Sequence, residues 1–239
     1  MKKYIFILTA LLLAACSKEV PVTRDHPVSV DFESTEPAAT LSVVWASCPE
    51  GAVSGERLDA AISASKADVV FCTTDPSFEG GAEAWFGTHA PQWPSVQSVL
   101  SCQSGGKYLC AATTEGVSAE TLGAGTRDVL VVKKGSFALV LGNLQEADIR
   151  PLLDATWFAN SGTDWIFSLS LPDASPALED ATFTDCLYGQ FGPVAMAGSR
   201  SDYIYASAGV WSLLKGIARE PLGEGWLYRF TINAEESRL

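Results

Sequence analysis

The sequence predicts an α/β domain (α+β) in which two packed mixed β-sheets are flanked by helices. Short apolar runs rich in β-branched residues recur from about residue 40 onward. Several of these runs are apolar throughout, which is typical of strands covered on both faces. Strands outnumber the segments with helical spacing, and this favours a two-layered sheet core over a doubly wound parallel sheet.

The domain opens with a strand, a helix and a second strand. Residues 41–46 are apolar, and the segment 56–66 places Leu58 and Ile62 at helical spacing. Residues 67–72 then form a second apolar run. We expect these two strands to be neighbours in one sheet.

The remaining elements follow the same pattern of many strands and few helices. A tight turn at Lys134–Gly135 is expected to join two of the strands, and the glycine- and proline-rich stretch 80–94 is interpreted as a loop. Further strands are predicted at 98–102, 107–113, 129–133, 136–142, 164–171, 193–197, 202–207 and 226–232, with helices at 147–158 and near 209–218.

Residues 1–15 are typical of a lipoprotein signal peptide. Lys2 and Lys3 precede an apolar run from residue 4 to residue 15, which as a helix would extend roughly 18 Å and could not cross a bilayer core of about 30 Å. The run ends in Leu-Ala-Ala before Cys16 and resembles the lipobox of bacterial lipoproteins. That resemblance implies cleavage before Cys16 and a lipid anchor on its thiol.

A solvated tether is predicted at 16–39, ahead of the domain at 40–239, because this stretch is rich in Pro, Thr, Ser, Glu and Val. Ser17-Lys18-Glu19 lacks the aspartate that retains lipoproteins in the inner membrane, and it is similar to a surface-export signal of some Gram-negative lipoproteins. We therefore expect lipid anchoring in the outer membrane, with the domain at the cell surface.

Charge and side-chain composition exclude two classes of partner. The net charge of −12 argues against a nucleic-acid partner, because phosphate binding needs a basic face. The two histidines, His26 and His89, and the absence of C-x-x-C spacing argue against a zinc site.

Five cysteines follow Cys16. A disulfide between Cys102 and Cys110 across a predicted hairpin turn is one possibility, and free thiols are the other. Cys48 and Cys72 close two predicted strands and are expected to be buried thiols, and an arrangement in which they face each other is an alternative.

The order of elements resembles the endonuclease/exonuclease/phosphatase family of metal-dependent phosphodiesterases and phosphatases. The first strand, the helix beginning near Glu56 and the Ala67-Asp68-Val69-Val70 strand match the family's opening. Residues 200–205 (Arg-Ser-Asp-Tyr-Ile-Tyr) are similar to its late R-x-D-Y-I-F strand, and residues 226–232 fit its closing strand. The resemblance spans about residues 40–233 and implies two packed sheets flanked by helices.

The same resemblance implies that most catalytic positions have changed. In the family these positions carry the metal-binding asparagine and glutamate, the catalytic histidine, the G-D-F-N motif and the final S-D-H motif. Here they align with Ser47, Thr74 (in Thr73-Thr74), Asn143, Ser170 with Pro172, and Gly223, while Asp202 is retained. Hydroxyls cannot replace the carboxylates that hold Mg²⁺, and no aligned general base is present.

These features predict a lipid-anchored binding or accessory protein without catalytic residues, cofactor or metal. Its expected partners are the membrane, through the lipid, and a glycan or an envelope protein. The alternative is a divergent Mg²⁺-dependent phosphodiesterase or phosphatase acting on an extracytoplasmic phosphoester. That alternative requires loop acids to converge on one site, and the candidates are Glu50, Asp75, Asp173, Asp185 and Asp202.

Two tryptophans are candidates for ligand binding. Trp85 and Trp93 lie in the predicted loop 80–94. Exposed aromatic side chains on loops can stack on sugars or anchor a protein partner, and the alternative is that they fold back onto the domain's own core.

Overall fold

The structure is a computed structural model that describes residues 28–31, 40–48, 53–135, 137–159, 163–191, 201–211 and 213–233. Cys16, Glu50 and the predicted strand 193–197 lie outside the described residues. Within the described part of the chain, two mixed sheets pack against each other and helices cover their outer faces.

The first sheet contains seven of the described strands. Their bounds are β1 Val28–Asp31, β2 Thr40–Ser47, β3 Val69–Thr74, β4 Ser98–Ser104, β5 Lys107–Thr113, β12 Leu214–Leu222 and β13 Gly225–Asn233. The strand order is β1-β12-β13-β2-β3-β5-β4. β2 and β3 are parallel neighbours, as predicted, and the other pairs are antiparallel.

The second sheet contains six described strands. Their bounds are β6 Ser118–Ala124, β7 Arg127–Lys134, β8 Phe137–Asn143, β9 Asp164–Ser170, β10 Thr184–Asp185 and β11 Asp202–Ala206. The strand order is β10-β11-β9-β8-β7-β6, with β8 and β9 parallel. Parallel pairs in both sheets bring the carboxyl ends of β2, β3, β8 and β9 to one end of the sandwich.

Helices of modest length connect and cover the sheets. Their bounds are α1 Gly55–Ser65, α2 Ala82–His89, α3 Glu146–Asp154, α4 Thr156–Ala159, α5 Pro176–Asp180, α6 Cys186–Phe191 and α7 Ala208–Trp211. Two 3₁₀ turns, Phe78–Gly80 and Ala90–Gln92, flank α2. No helix within the described residues is long and apolar enough to cross a membrane.

Alternation along the strands divides the core into three layers. In β2, Val43 and Trp45 point into the layer between the sheets, whereas Val44 and Ala46 point toward α1 and α2. A third layer lies between the second sheet and α3. Because both faces of the central strands are buried, their sequences are apolar throughout.

Several predicted elements have different bounds in the structure. The helix predicted at 147–158 ends at Asp154, because Ala155 is extended, and α4 follows as a separate turn. The helix predicted near 209–218 is wrong beyond α7, since β12 begins at Leu214. The predicted loop 80–94 contains α2, and β6 was not predicted.

β1 corrects the predicted tether. Val28–Asp31 pairs antiparallel with β12, from Arg219 to Gly216, at the edge of the first sheet. These four residues therefore belong to the domain, although their polar and proline-rich surroundings predicted a solvated segment.

The five cysteines of the described residues form no disulfide, so of the two possibilities for Cys102 and Cys110 the structure shows the one without a bridge. Cys102 lies opposite Leu109, one residue before Cys110. Successive residues of a strand point to opposite faces, so the two thiols lie on opposite sides of the sheet. Cys110 instead lies opposite Cys72, and both are buried under α2.

Candidate functional site

A cavity of about 420 Å³ opens where the carboxyl ends of β2, β8 and β9 meet the first residues of β5, β7 and β11. It lies between the two sheets at one end of the sandwich. The lining residues are Ser47, Cys48, Thr73, Gly105, Lys107, Arg127, Asn143, Leu144, Gln145, Ser170, Leu171, Pro172, Ser201 and Asp202.

Asp202 is the single carboxylate among these lining residues, and it is 5% exposed. The Ser47 hydroxyl donates to its Oδ1 at 2.7 Å, and the Tyr228 hydroxyl donates to its Oδ2 at 3.1 Å. The Tyr228 ring stacks on Trp45, with 5.0 Å between centroids. Both carboxylate oxygens are thus hydrogen-bonded to side chains of the first sheet, which fixes Asp202 in place.

The wall beside Asp202 is formed by hydroxyl and thiol groups. Trp45 Nε1 donates to Thr73 Oγ1 at 3.1 Å, so this hydroxyl also has a partner inside the protein. Burial, and next the negative charge of Asp202, raise the pKa of Cys48 to about 12. Cys48 is therefore a neutral thiol and not a nucleophile at neutral pH.

Asn143 connects the two sheets at the mouth of the cavity. Its Nδ2 donates to the carbonyl oxygens of Ser104 and Gly105 at 3.0 and 2.9 Å. Ser104 and Gly105 belong to the turn that joins β4 to β5, whereas Asn143 ends β8. The amide therefore ties the hairpin of one sheet to a strand of the other.

Arg127 reinforces the same connection. Its Nη1 donates to the Asn143 carbonyl oxygen at 2.7 Å, and its Nε lies 3.3 Å from Asp148 Oδ2. Asp148 is buried and also accepts from the Thr126 hydroxyl. The guanidinium lies so close to the turn that a Cβ on Gly105 would be 2.1 Å from Nη1.

The structure brings together most of the residues singled out from the sequence. Ser47, Asn143, Ser170, Pro172 and Asp202 all line the cavity.

Two aligned positions do not reach the cavity. Thr73, and not Thr74, lines it, because alternation along β3 turns Thr74 to the other face of the sheet. Gly223 lies in the turn between β12 and β13, outside the lining.

The described loop acids, Asp75, Asp173 and Asp185, are not among the residues that line the cavity with Asp202. Asp75 accepts from the Ser77 hydroxyl and amide, which lower its pKa. Asp185 accepts from two amides at the start of α6, and Asp173 is exposed. Among the described residues, no group of three or more His, Cys, Asp or Glu side chains is placed to hold a metal ion.

The two candidate tryptophans pack onto their own domain. Trp93 is 3% exposed, and its Nε1 donates to Asp59 Oδ1 at 2.6 Å. Trp85 is half-buried on α2, where it stacks on His89 with 4.3 Å between centroids. Of the two alternatives, Trp93 therefore follows the one in which the side chain folds back onto the core, and the indole of Trp85 is partly covered.

Lys107, Arg127 and Tyr228 are site residues that the sequence did not reveal. Lys107 and Arg127 each begin a strand that follows a tight turn, a place where charged residues are common on any surface. Tyr228 lies on the same face of β13 as the apolar residues Trp226 and Phe230, and it therefore has the pattern of an ordinary core residue. Only the pairing of β13 with β2 brings its hydroxyl to Asp202.

The two sheets and their flanking helices form a sandwich like the endonuclease/exonuclease/phosphatase fold of the solved structures that resemble it. The AP endonuclease LMAP from Leishmania major superposes with a TM-score of 0.59 at 14% identity, over 95% of this chain and 99% of that chain. An AP endonuclease from Archaeoglobus fulgidus gives 0.54 at 12% identity, over 81% and 100% of the two chains. Truncated TDP2 from Caenorhabditis elegans gives 0.53 at 14% identity, over 82% and 98%. At these identities the likeness establishes the fold alone.

Sequence comparison adds no family assignment. The X-linked retinitis pigmentosa GTPase regulator homolog of Caenorhabditis elegans is 42% identical over 62 residues, which are 26% of this chain and 4% of that protein. The chain therefore spans a small fraction of that relative. No family model matches the chain.

Proposed function

We propose that this protein is a lipid-anchored binding or accessory protein of the bacterial envelope that has the fold of metal-dependent phosphoesterases without their catalysis. Its ligand is a glycan or an envelope protein, bound at the cavity end of the sandwich. The anchor is Cys16, and the location is the outer membrane, with the domain at the cell surface. The observation that carries the proposal is the hydrogen bonding of Asp202.

A carboxylate that holds Mg²⁺ must offer free lone pairs to the ion, usually together with other acidic or amide oxygens. Each oxygen of Asp202 already accepts a hydrogen bond, one from Ser47 and one from Tyr228, and Asp202 is the single carboxylate among the described residues that line the cavity. A metal ion here would have to share the carboxylate with these two buried donors, and it would find one charged ligand among the described lining residues. This arrangement supports a structural role for Asp202.

The position aligned with the catalytic histidine supports the same proposal. Asn143 uses both hydrogens of its amide group to hold the β4–β5 turn, and an amide does not take up a proton near neutral pH. It therefore fastens the two sheets and cannot serve as a general base.

The test is a calorimetric titration of the lipid-free chain without Cys16, residues 17–239, with Mg²⁺ and Mn²⁺. This span keeps β1 in the first sheet. We expect no saturable binding, and no hydrolysis of a phosphodiester or phosphomonoester that a chelator abolishes.

Two asparagine variants make the titration specific. Asp202→Asn removes the cavity carboxylate, and Asp173→Asn removes an exposed loop carboxylate as a matched control. One-site binding with chelator-sensitive hydrolysis, both lost in Asp202→Asn and kept in Asp173→Asn, would show that the protein is a metal-dependent hydrolase.

The anchor is tested separately. We expect the protein to fractionate with membranes and to carry acyl chains on residue 16, whereas the Cys16→Ala variant carries none. A membrane-bound protein without acyl chains on residue 16 would disprove the anchor and leave the proposal about the cavity standing.

A further inference from the structure

We infer that the cavity end of the sandwich faces the headgroup layer of the membrane to which the chain is anchored, so that the cavity meets ligands at the membrane surface. The inference rests on the proposed lipidation of Cys16. Its structural basis is the direction of β1 relative to the cavity.

β1 enters the sheet from the cavity end. Its first residue, Val28, pairs with Arg219 and its last residue, Asp31, pairs with Gly216. β12 runs toward the cavity end, because Leu222 pairs with Gly225, and Trp226 pairs with the cavity residue Ser47. Followed backward from Val28, the chain therefore leaves the domain at the end where the cavity opens.

The remaining chain is short compared with the domain. Val28 lies twelve positions after Cys16. Fully extended, this segment reaches about 40 Å, and a flexible chain of that length spans about 19 Å on average. β13 alone, with nine residues, is about 30 Å long. Placing the opposite end on the membrane would require a nearly extended segment running back along the whole sheet, at a large cost in chain entropy.

The charges at this end do not by themselves attract a membrane. Lys107 and Arg127 line the cavity, but the surrounding turns carry acids that are half-buried or exposed to solvent. Asp75 is half-buried, and Asp173 and Glu224 are exposed. An anionic lipid surface would repel these acids. The orientation is therefore set by the covalent attachment and is expected to be insensitive to salt.

The experiment compares fluorescent labels at two positions, now occupied by glutamates, at opposite ends of the first sheet. Glu224 lies in the β12–β13 turn at the cavity end, and Glu115 lies in the turn after β5 at the far end; both are exposed. In a Cys102→Ser background, Glu224→Cys and Glu115→Cys each receive a donor fluorophore. Energy transfer is measured to acceptor-labelled phospholipids in vesicles carrying the full-length lipidated protein, at low and at high salt.

We expect transfer at position 224 to be at least about twofold higher than at position 115, because the two labels differ in height by roughly 20 Å. The difference should persist at high salt and shrink when a long Gly-Ser spacer is inserted before Val28. Equal transfer at both positions, or higher transfer at position 115, would overturn the inference.

A second preparation separates this inference from the proposed anchor. It carries a hexahistidine tag in place of Cys16 and binds to nickel-chelating lipids. The natural protein could carry no acyl chain while the tagged protein shows higher energy transfer at position 224 than at position 115. That result would reject the proposed lipid anchor and support the orientation imposed by β1. If both preparations give equal transfer at the two positions, the orientation fails whatever residue 16 carries.

Discussion

At the scale of single residues, the site is organised by hydrogen bonds that stay inside the protein. Asp202 accepts from Ser47 and Tyr228, Asn143 donates to the β4–β5 turn, and Arg127 bridges Asn143 and Asp148. A site built for catalysis keeps some of these groups available to substrate or metal. Asp202 and Asn143 each bond to groups of the first sheet, so these hydrogen bonds stabilise the contact between the sheets.

Removing a donor to Asp202 is expected to destabilise the domain. Ser47→Ala or Tyr228→Phe leaves a buried carboxylate oxygen without that donor, at a cost of about 1–3 kcal/mol in the free energy of unfolding. Denaturant titration measures the change. In an Asp202→Asn background the cost should fall, because the charged acceptor is gone, and the double-mutant cycle reports the coupling. Additive costs would mean that these hydroxyls contribute through packing alone.

Two buried serines should respond in opposite ways to the same substitution. Ser168 Oγ is buried without a hydrogen-bond partner, so Ser168→Ala is expected to be neutral or slightly stabilising. Ser175 caps α5 by accepting from the Leu178 amide at 3.2 Å, and Ser175→Ala should cost about 1 kcal/mol. Thermal unfolding of the two variants measures both effects. A clear loss of stability in Ser168→Ala would contradict the absence of a hydrogen-bond partner for Ser168 Oγ.

At the scale of elements, tertiary pairing accounts for the main difference between prediction and structure. Val210, Leu213, Leu214 and Ile217 are apolar at helical spacing, which is why a helix was predicted near 209–218. Pairing with β1 and β13 makes residues 214–222 a strand instead. Propensity is a weak prior in such short segments, and tertiary context decides.

Apolar central strands were predictable, and polar edge elements were not. β5 has the bounds predicted from its sequence, because a continuous apolar run has one favourable environment, the sheet interior. β6 is largely exposed at the edge of its sheet and has no such run. The cavity-lining residues Ser47, Asn143 and Asp202 were singled out because they align with motif positions of the family that the chain resembles. Lys107 and Arg127 follow turns and carried no comparable signal.

The β4–β5 turn provides a test at this scale. Gly105 and Gly106 both have positive φ, at 55° and 79°, but only a Cβ on Gly105 would meet the Arg127 guanidinium. Gly106→Ala should cost about 1 kcal/mol in the free energy of unfolding, and Gly105→Ala about 1–2 kcal/mol more, because Arg127 must leave Asn143. Equal costs in denaturant titrations would show that the bridge adds no stability.

At the scale of the whole molecule, the buried thiols predict a loss of stability in alkali. Burial raises the pKa of Cys110 from 9.0 to about 12. The unfolded chain therefore releases this proton at lower pH than the folded protein, so the stability present below about pH 9 declines as the pH rises toward 12. The loss from this thiol is about 2 kcal/mol near pH 10.5.

Comparison with a variant isolates that contribution. Unfolding free energies at pH 8 and pH 10.5 should fall less in Cys110→Ala than in the wild type. Cys102→Ala should also reduce the decline, because the pKa of Cys102 is raised to about 11, which likewise lies above pH 10.5. An identical decline in the wild type and Cys110→Ala would contradict the prediction.

The attachment of β1 also determines how the molecule carries mechanical load. A pull on the lipid anchor proposed at Cys16 would act along β1 toward the cavity end, parallel to its partner β12. The hydrogen bonds of the β1–β12 pair would then be loaded together in shear and not one after another. If β1 yields, β12 stays paired with β13 and the sandwich is kept, while the residues between Val28 and β2 become slack of roughly 40 Å. The four-residue strand β1 would thus detach first under tension. Its detachment would lengthen the segment between the anchor and the domain before the force reached the rest of the folded domain.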